Sequence, residues 1–369
     1  MNRLFRHMAM IMVWAGTMLL TGCQYADMVS NLRDADRDTD SLVIGFYNGV
    51  ISNPVSTRAV SLLSEHLNTM GVWGWQTTSQ GEVECLFLNK EVTFNPSLAK
   101  WTYMPPKYWE SKSKYRFYAY APHSDTNPAN VSIDTETGHI SITGVTLTGS
   151  NTVNAPDTVT LGNFSHVSDI DWMIDRTGQH LDGTYRSDVS FNMQHILSKL
   201  CVKANIGANF VAQDDQEQFI RVDSMRIGSF ICQGNFTQKL SQSPSPRDTT
   251  QLNYRKAEWE PIDTLPRYSI IGASGVDVTD SCAYIIESLI IPQRTDATQI
   301  IDIWYSIGVD GGFVNRFHYV IPLSDVFSGF VAGANYIIDV MISPEAITFD
   351  SGVAGWEDFM NPDFNVNYQ

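Results

Sequence analysis

The sequence predicts an all-β protein built from antiparallel β-sandwiches. Many short segments are rich in β-branched and aromatic residues, and clusters of Gly, Pro, Asn, Asp and Ser separate them. The chain lacks the regular alternation of strand and helix patterns that a parallel sheet requires. Aromatic residues make up 11% of the 369 residues and charged residues 17%, so we expect a well-packed core in one large domain or two.

The strand pattern covers most of the chain after residue 40. The segments predicted as strands are 41–50, 72–77, 115–121, 139–149, 199–206, 224–234, 283–292, 299–309, 316–323 and 335–342. One segment differs, because Val60, Leu63, Leu67 and Met70 recur at helical spacing. We therefore expect a short helix or turn at 60–70.

Residues 1–22 have the pattern of a lipoprotein signal peptide. Arg3 and Arg6 precede an apolar run that is too short to cross a bilayer comfortably, and the run ends in "LTGC". Small residues before a cysteine suit a lipoprotein signal peptidase, and acylation of Cys23 would anchor the chain. The alternative is an uncleaved N-terminal membrane helix with an incidental cysteine. We expect lipidation of Cys23 and a location in the envelope or on the surface of a Gram-negative bacterium.

Residues 23–40 are polar and carry alternating acids, which is typical of a solvated tether. The acids Asp34, Asp36, Asp38 and Asp40 also suggest a calcium loop. Such a loop needs glycine at its sixth position and glutamate at its twelfth, whereas this chain has Thr39 and Gly45 there. We expect a tether without a metal.

The remaining composition limits the classes of function. A net charge of −16 argues against a nucleic-acid partner, which requires basic surface. The chain contains none of the common nucleotide, metalloprotease or serine-hydrolase motifs, so we predict no enzyme activity and no cofactor. Cys85, Cys201, Cys232 and Cys282 are widely spaced, which leaves both free thiols and disulfides open.

The segment 101–124 is rich in aromatic residues, and two interpretations compete. Exposed rings in 101–120 could form a platform on which sugars stack, which would make the protein a glycan-binding outer-membrane lipoprotein, and Tyr118 and Tyr120 are the positions that test this. The candidate rings are Trp101, Tyr103, Tyr108, Trp109, Tyr115, Phe117, Tyr118 and Tyr120. In "YRFYAYA", however, Tyr115, Phe117 and Ala119 alternate with Arg116, Tyr118 and Tyr120. Alternation of this kind is typical of a strand packed into a sheet, and we favour core packing.

Five separated segments together resemble the fimbrillins of the Bacteroidales, in the minor-fimbrillin-like branch of type V pilins. They are the Cys23 lipobox with its tether and "IGFYNGV", then "TRA" at 57–59, "WTYMPPKYWESKSKYRFYAYAP" at 101–122, "VSFNMQHILSKLCVKANI" at 189–206 and "GANYIIDVMISPEAITFDSGVAGWEDF" at 333–359. The segments follow the family's order and span nearly the whole mature chain. Glu110 departs from the family, which often has proline after "YW".

The resemblance implies two transthyretin-like β-sandwich domains in tandem, which we place at 41–195 and 196–369. It also implies that a trypsin-like surface protease cuts after an arginine, which here would be Arg58–Ala59, and that the first strand, within 41–50, then leaves. A neighbouring fimbrial subunit would insert its own strand in that place. Arg33 and Arg37 are further candidate cleavage sites, although a cut there would keep the strand.

The resemblance suggests that the donor strand lies in residues 359–369, where Phe364, Val366 and Tyr368 alternate. The alternatives are that Arg58 is an ordinary loop charge and that the C-terminal segment is a disordered end. The implied partners are other fimbrial subunits, the outer membrane through the lipid, and host or bacterial surface ligands.

Overall fold

The computed structural model describes residues 43–47, 50–52, 60–62, 68–124, 130–151, 153, 169–175, 178–207, 218–240, 255–278, 282–309, 312, 314–343 and 346–354. These residues form 22 strands, which we number in chain order. Up to residue 195 the strands are β1 Val50–Ser52, β2 Val60–Leu62, β3 Thr69–Thr77, β4 Val83–Asn95, β5 Lys100–Thr102, β6 Lys114–Ala121, β7 Asn130–Ile133, β8 Ile140–Thr146, β9 Met173–Asp175, β10 Gln179–Asp182 and β11 Asn192–His195.

The second half of the chain continues with eleven more strands. They are β12 Ser198–Ile206, β13 Gln218–Phe230, β14 Gln233–Leu240, β15 Arg255–Ile262, β16 Tyr268–Ile271, β17 Val276–Val278, β18 Ala283–Ile290, β19 Ile300–Val309, β20 Val314–Pro322, β21 Asn335–Ile342 and β22 Ile347–Ala354. A single turn of 3-10 helix at Leu323–Asp325 follows β20. The predicted all-β class is therefore confirmed.

The strands form four sheets. Sheet 1 has nine strands in the order β2-β1-β11-β9-β6-β3-β4-β5, with β10 also paired to β6. Sheet 2 has the order β15-β14-β8-β7, and sheet 3 has the order β18-β12-β21-β22. Sheet 4 has the order β16-β13-β19-β20, with β17 also paired to β13.

Two sandwiches result, because sheet 1 packs on sheet 2 and sheet 3 packs on sheet 4. The first core holds Trp73 and Tyr120 from sheet 1 against Ile142 and Phe236 from sheet 2. The second core holds Ile338 and its neighbours from sheet 3 against the aliphatic residues of sheet 4. The opposite face of sheet 1 is buried too, in a third cluster that we call the outer cluster of sheet 1.

Sheet 2 takes strands from both sides of residue 195. The hairpin of β14 and β15 pairs with β8 through Phe236 opposite Ile142 and Thr237 opposite Ser141. The first sandwich is therefore completed by strands from the second half of the chain. The boundary that we place between residues 195 and 196 stays a prediction.

The helix or turn expected at 60–70 does not cover that whole range. Val60–Leu62 is strand β2, paired with β1, and β3 begins at Thr69. Residues 63–67 lie outside the described part of the chain. Helical spacing in a short apolar run is a weak signal, and here pairing with a neighbouring strand outweighs it.

The glycine at position 71 shows how tightly the first sandwich is packed. Gly71 lies in β3 directly opposite Tyr120 of β6, and a Cβ at Gly71 would lie 2.1 Å from the tyrosine ring. The ring has no room to move, because its hydroxyl donates to Asn89 Oδ1 at 2.7 Å and Tyr120 is fully buried.

Gly71→Ala should therefore lower the free energy of unfolding by about 1–3 kcal/mol, the usual effect of overpacking a close-packed core. Urea denaturation followed by circular dichroism measures this change. Gly312→Ala is the matched control, because its Cβ would meet only ordinary contacts, at 3.4 Å, with Val309. Equal stability of the two variants would contradict the packing argument.

Candidate functional site

Residues 43–47 lie between two edges of sheet 1 and pair with both. On one side Val43 pairs with Tyr108 and Phe46 with Trp101, in antiparallel bridges. On the other side Phe46 pairs in parallel with Val189, just before β11. Sheet 1 therefore curls on itself, and this short segment, which we call the N-terminal segment, closes the gap between its two ends.

Backbone hydrogen bonds hold the N-terminal segment on both sides. Ile44 N–H donates to the Lys107 carbonyl at 2.8 Å, and Tyr47 N–H donates to the Val189 carbonyl at 2.9 Å. Val189 N–H donates in turn to the Gly45 carbonyl at 3.0 Å. Bonds on both sides make this segment equivalent to a central strand, so removing it would leave polar backbone groups of both neighbours without their partners.

The side chains of the segment alternate as the strand pattern predicts. Ile44 is fully buried and Phe46 is 5% exposed, whereas Tyr47 on the opposite side is 40% exposed. The buried side chains belong to the outer cluster of sheet 1. The segment therefore covers this cluster as well as completing the sheet.

Phe46 lies at the centre of a group of aromatic rings. Its ring centroid is 5.4 Å from that of Tyr103 and 5.5 Å from that of Phe87, both in edge-to-face geometry. Phe191 stacks on it at 6.0 Å, and Phe117 meets it edge-on at 6.2 Å. Such pairs add to the effect of burial, so Phe46 is the main apolar contact of the N-terminal segment.

Tyr103 supplies a polar contact to the same segment. Its hydroxyl donates to the Ile44 carbonyl at 2.8 Å and accepts from Lys107 N–H at 3.2 Å. Burial raises the pKa of Tyr103 to about 12, although the hydrogen bond with the Lys107 backbone opposes the shift. The phenol is therefore neutral at physiological pH and can act as a donor.

Strand β1 extends the same edge. Val50 pairs in parallel with Asn192 and Ile51 with Met193, so the chain follows residues 189–193 for two further positions. On its other side β1 pairs with β2 in antiparallel fashion. Residues 53–59 connect these two strands, and a cut there would separate the N-terminal segment and β1 from β2 onward.

Exposed apolar side chains lie beside the groove that the N-terminal segment occupies, which we call its seat. Met104 is 72% exposed and Tyr108 is 56% exposed, and both belong to the stretch that pairs with the N-terminal segment. Together with Tyr47 they form an apolar rim around the closure of sheet 1. Rims of this kind are common where a protein surface contacts a partner.

The individual residues predicted from sequence lie outside the described residues. These are Cys23, Arg58, Ala59, Phe364, Val366 and Tyr368. Their proposed roles stay predictions, and the structure instead describes the seat from which the first strand would leave. Within the described residues, no helix is both long and apolar enough to cross a membrane.

Most rings of the aromatic block at 101–124 pack into the cores, as favoured above, whereas Tyr108 is exposed. Tyr118 is 3% exposed and Tyr120 is fully buried, so the basis for predicting sugar binding by these two rings is removed. The face of β6 that carries them is not amphipathic but buried against sheet 2, and Arg116 on that face lies over the Trp75 ring at 5.1 Å.

The four cysteines described by the structure are free thiols. Cys85 is exposed, Cys232 and Cys282 are partly buried, and Cys201 is buried. Burial raises the pKa of the Cys201 thiol well above its usual value. In the described part of the chain, no three His, Cys, Asp or Glu side chains are grouped so that they could hold a metal ion.

Sequence reasoning missed the lining of the seat. Val189, Phe191 and Met193 alternate with polar residues and are all buried in the outer cluster, a signal of a strand that was available in "VSFNMQH". Phe87 lies in β4, which the strand search overlooked entirely. Tyr103 could not be identified, because its role depends on a contact with a segment 59 residues earlier.

Comparison with known proteins gives one family. A family model described as fimbrillin-like matches residues 57–356. No curated protein sequence matches the chain.

Solved structures with a similar fold include a fimbrial protein from Bacteroides vulgatus. It is 16% identical, with a TM-score of 0.56, and the alignment covers 85% of this chain and 99% of that one. Two further structures align over similar lengths. A fimbrial assembly protein from Parabacteroides distasonis is 10% identical, with a TM-score of 0.34 and coverage of 89% and 99%. The tip fimbrial protein Mfa3 from Porphyromonas gingivalis is 9% identical, with a TM-score of 0.31 and coverage of 84% and 98%.

Phe46→Ala should destabilise the closure of sheet 1 by about 3–5 kcal/mol, the usual cost of truncating a buried phenylalanine. Hydrogen exchange at the Val189 amide, which bonds to Gly45, measures the local loss, and urea denaturation measures the global one. Tyr47→Ala is the matched control on the exposed side of the same segment. Equal effects of the two variants would show that Phe46 is not the main contact.

The contribution of Tyr103 should vanish in strong base. Its folded pKa is raised from 10 to about 12, so the neutral phenol stabilises the fold below pH 10 and this contribution is lost as pH rises through 12. Urea midpoints of wild type and Tyr103→Phe, measured from pH 8 to 12, should differ by a constant amount up to about pH 10. The difference should then decrease, and a constant difference to pH 12 would refute this role.

Proposed function

This chain belongs to the fimbrillin-like family, and from that premise we propose that it is a subunit of a cell-surface fimbria that assembles by strand exchange. The observation that carries the proposal is the N-terminal segment, which is bonded on both sides and belongs to the end of the chain. In this mechanism residues 43–47 occupy their own chain's groove in sheet 1 until the fimbria assembles. A strand from a neighbouring subunit then takes their place. The role is structural and adhesive.

Export as a lipoprotein is the first step that we propose. Cys23 would carry the lipid, and residues 24–40 would tether the folded body to the outer membrane. The precursor would therefore reach the surface already folded, with its own first strand in place. The buried Phe46 and the two-sided hydrogen bonding of residues 43–47 support this order, because a chain without that strand would expose an open groove.

Cleavage at Arg58–Ala59 is the second step. The fimbrillin-like match begins at residue 57, so the family match and the proposed mature chain begin within two residues of each other. The cut lies in the connection between β1 and β2, and it breaks none of the contacts that the structure describes for residues 43–52. Its effect is to remove the covalent link between the first strand and the rest of the fold.

Loss of this covalent link changes the competition between the first strand and a neighbouring subunit's strand for the groove. A covalently linked strand competes at an effective concentration on the order of millimolar, whereas a released peptide is diluted into bulk solvent. A strand from a neighbouring subunit can then replace it. Cleavage thus acts as a switch that needs no rearrangement of the fold.

The C-terminal segment 359–369 is the proposed donor. Phe364, Val366 and Tyr368 alternate, so one face of an extended strand would present three apolar side chains to the groove. The seat of Phe46, lined by Phe87, Tyr103, Phe117 and Phe191, suits an aromatic side chain of this kind. A groove at one place and a donor strand at another give head-to-tail contacts, and such contacts build filaments.

Trypsin treatment of the lipid-free chain 24–369 tests the proposal. We expect a new N-terminus at Ala59 and ladders of oligomers that resist SDS, and Arg58→Ala should abolish both. Arg186→Ala, an exposed arginine outside the β1–β2 connection, is the matched control. Deletion of residues 359–369 should keep the cleavage but stop the ladders.

The outcomes separate the steps. A chain that is cut at Arg58 but stays monomeric at every concentration would contradict strand exchange. Cleavage only at Arg33 or Arg37 would contradict loss of the first strand, because residues 43–47 would stay attached.

A further inference from the structure

The outer face of sheet 4 carries a solvent-exposed tryptophan that the fold does not use. Along β19, Ile301, Ile303 and Tyr305 point into the core between sheets 3 and 4. Trp304 points to the opposite face and is 45% exposed. An indole left in water at the centre of a sheet face loses the burial that usually stabilises it, so its position calls for a separate explanation.

Neighbouring side chains fix the orientation of the Trp304 indole. Trp304 pairs across the sheet with His318 of β20, and the two rings stack with centroids 4.0 Å apart and an angle of 9° between their planes. His318 Nε2 is 2.8 Å from Asp302 Oδ1, which fixes the imidazole in turn. The indole is therefore pre-organised, with one face covered by histidine.

The other face of the indole is turned toward β13, where the neighbouring residue is small. Ser224 pairs with Trp304 across the sheet and is exposed. An irregularity in the pairing of β13 lies at this place, between Val222 and Ser224. The second face of the ring therefore adjoins Ser224, and we call the space between them the slot.

Polar groups of both kinds surround the slot. Arg226 pairs with Asp302 at one end and is exposed, so its guanidinium can donate hydrogen bonds. At the other end Asp223 accepts a hydrogen bond from the Ser306 hydroxyl. Donors and acceptors on either side of one aromatic face suit a ligand that has both functions and also has an apolar face.

We propose that the slot between Trp304 and Ser224 binds a neutral saccharide unit of a surface glycan. The axial C–H groups of a pyranose ring pack on an indole face, while its hydroxyls both donate and accept hydrogen bonds. The mixture of Arg226, Asp302 and Asp223 matches such hydroxyls better than it matches a polymer of one charge. The net charge of −16 further disfavours acidic glycans.

A purely structural role for the ring pair is the competing explanation. Cross-strand pairs on a sheet face contribute about 0.2–1 kcal/mol, so Trp304 and His318 could serve only to stabilise β19 and β20. The two roles differ in one respect. A stabilising pair does not require the slot on the far side of the indole to be empty.

Two variants separate these roles in the chain 24–369. Trp304→Ala removes the ring, and Ser224→Phe fills the slot while it leaves the stack of Trp304 on His318 in place. Tyr185→Ala is the control, because Tyr185 is 79% exposed and lies in the turn after β10. Calorimetric titration with neutral maltohexaose, cellohexaose, xylohexaose and lacto-N-tetraose measures binding.

We expect wild type and Tyr185→Ala to bind at least one of these probes, and both Trp304→Ala and Ser224→Phe to bind it at least tenfold more weakly. Absence of binding to all four probes by the wild type would overturn the proposal. Unchanged affinity of Trp304→Ala or of Ser224→Phe would overturn it too. Binding of a peptide at this face, instead of a sugar, would also overturn it.

The proposal is independent of strand exchange, because the slot and the seat of the N-terminal segment share no residue. Trp304→Ala should still form ladders after cleavage, and Arg58→Ala should still bind the sugar. Failure of one function in these variants therefore leaves the other measurable.

Discussion

The closure of sheet 1 depends on one contact, the pairing of residues 43–47 with both of its ends. Within the described residues, this segment pairs with both ends of the sheet, with a hydrogen bond to Lys107 on one side and to Val189 on the other. If the segment is removed, each buried backbone group that loses its partner costs about 1–3 kcal/mol. The aromatic rings around Phe46 would also be exposed to water. An open sheet 1 is therefore a high-energy state that requires a replacement strand.

The remainder of the molecule is arranged so that this opening stays local. The central strands β3 and β6 are buried on both faces, against sheet 2 on one side and within the outer cluster on the other. Sheet 2 takes β14 and β15 from the second half of the chain, so the chain passes between the two sandwiches more than once. The contacts of β3 and β6 with sheet 2 do not involve residues 43–47, whereas those within the outer cluster include Ile44 and Phe46. If strand exchange occurs as proposed, the packing against sheet 2 would hold the frame while one strand replaces another.

The sequence predicts half of the strands and little of their arrangement, since eleven of the 22 strands, β4 and β15 among them, lie outside the predicted segments. All ten predicted segments contain or overlap residues in extended pairing, because alternation and β-branched residues report directly on a buried sheet face. The pairing of β14 with β8 and the curling of sheet 1 depend on contacts between distant residues, which no local pattern encodes. The helical spacing at 60–70 misled at Val60–Leu62 for the same reason, since these residues pair with β1 as strand β2. The strand that occupies the seat was predicted, but the residues that line the seat were not. Alternation identified the first strand, whereas Tyr103 and Phe191 were recognisable only once that strand was placed against them.

The central claim is that the N-terminal segment can be exchanged once the chain is cut at Arg58. Native mass spectrometry of the cleaved chain tests this most directly. After cleavage at Arg58, the isolated monomer should retain the peptide 24–58, and an excess of synthetic peptide 359–369 should displace it with a matching change in mass. A scrambled peptide of the same composition should not. Retention of the 24–58 peptide in the presence of excess donor peptide would contradict the account, because residues 43–47 would then be a permanent part of the fold.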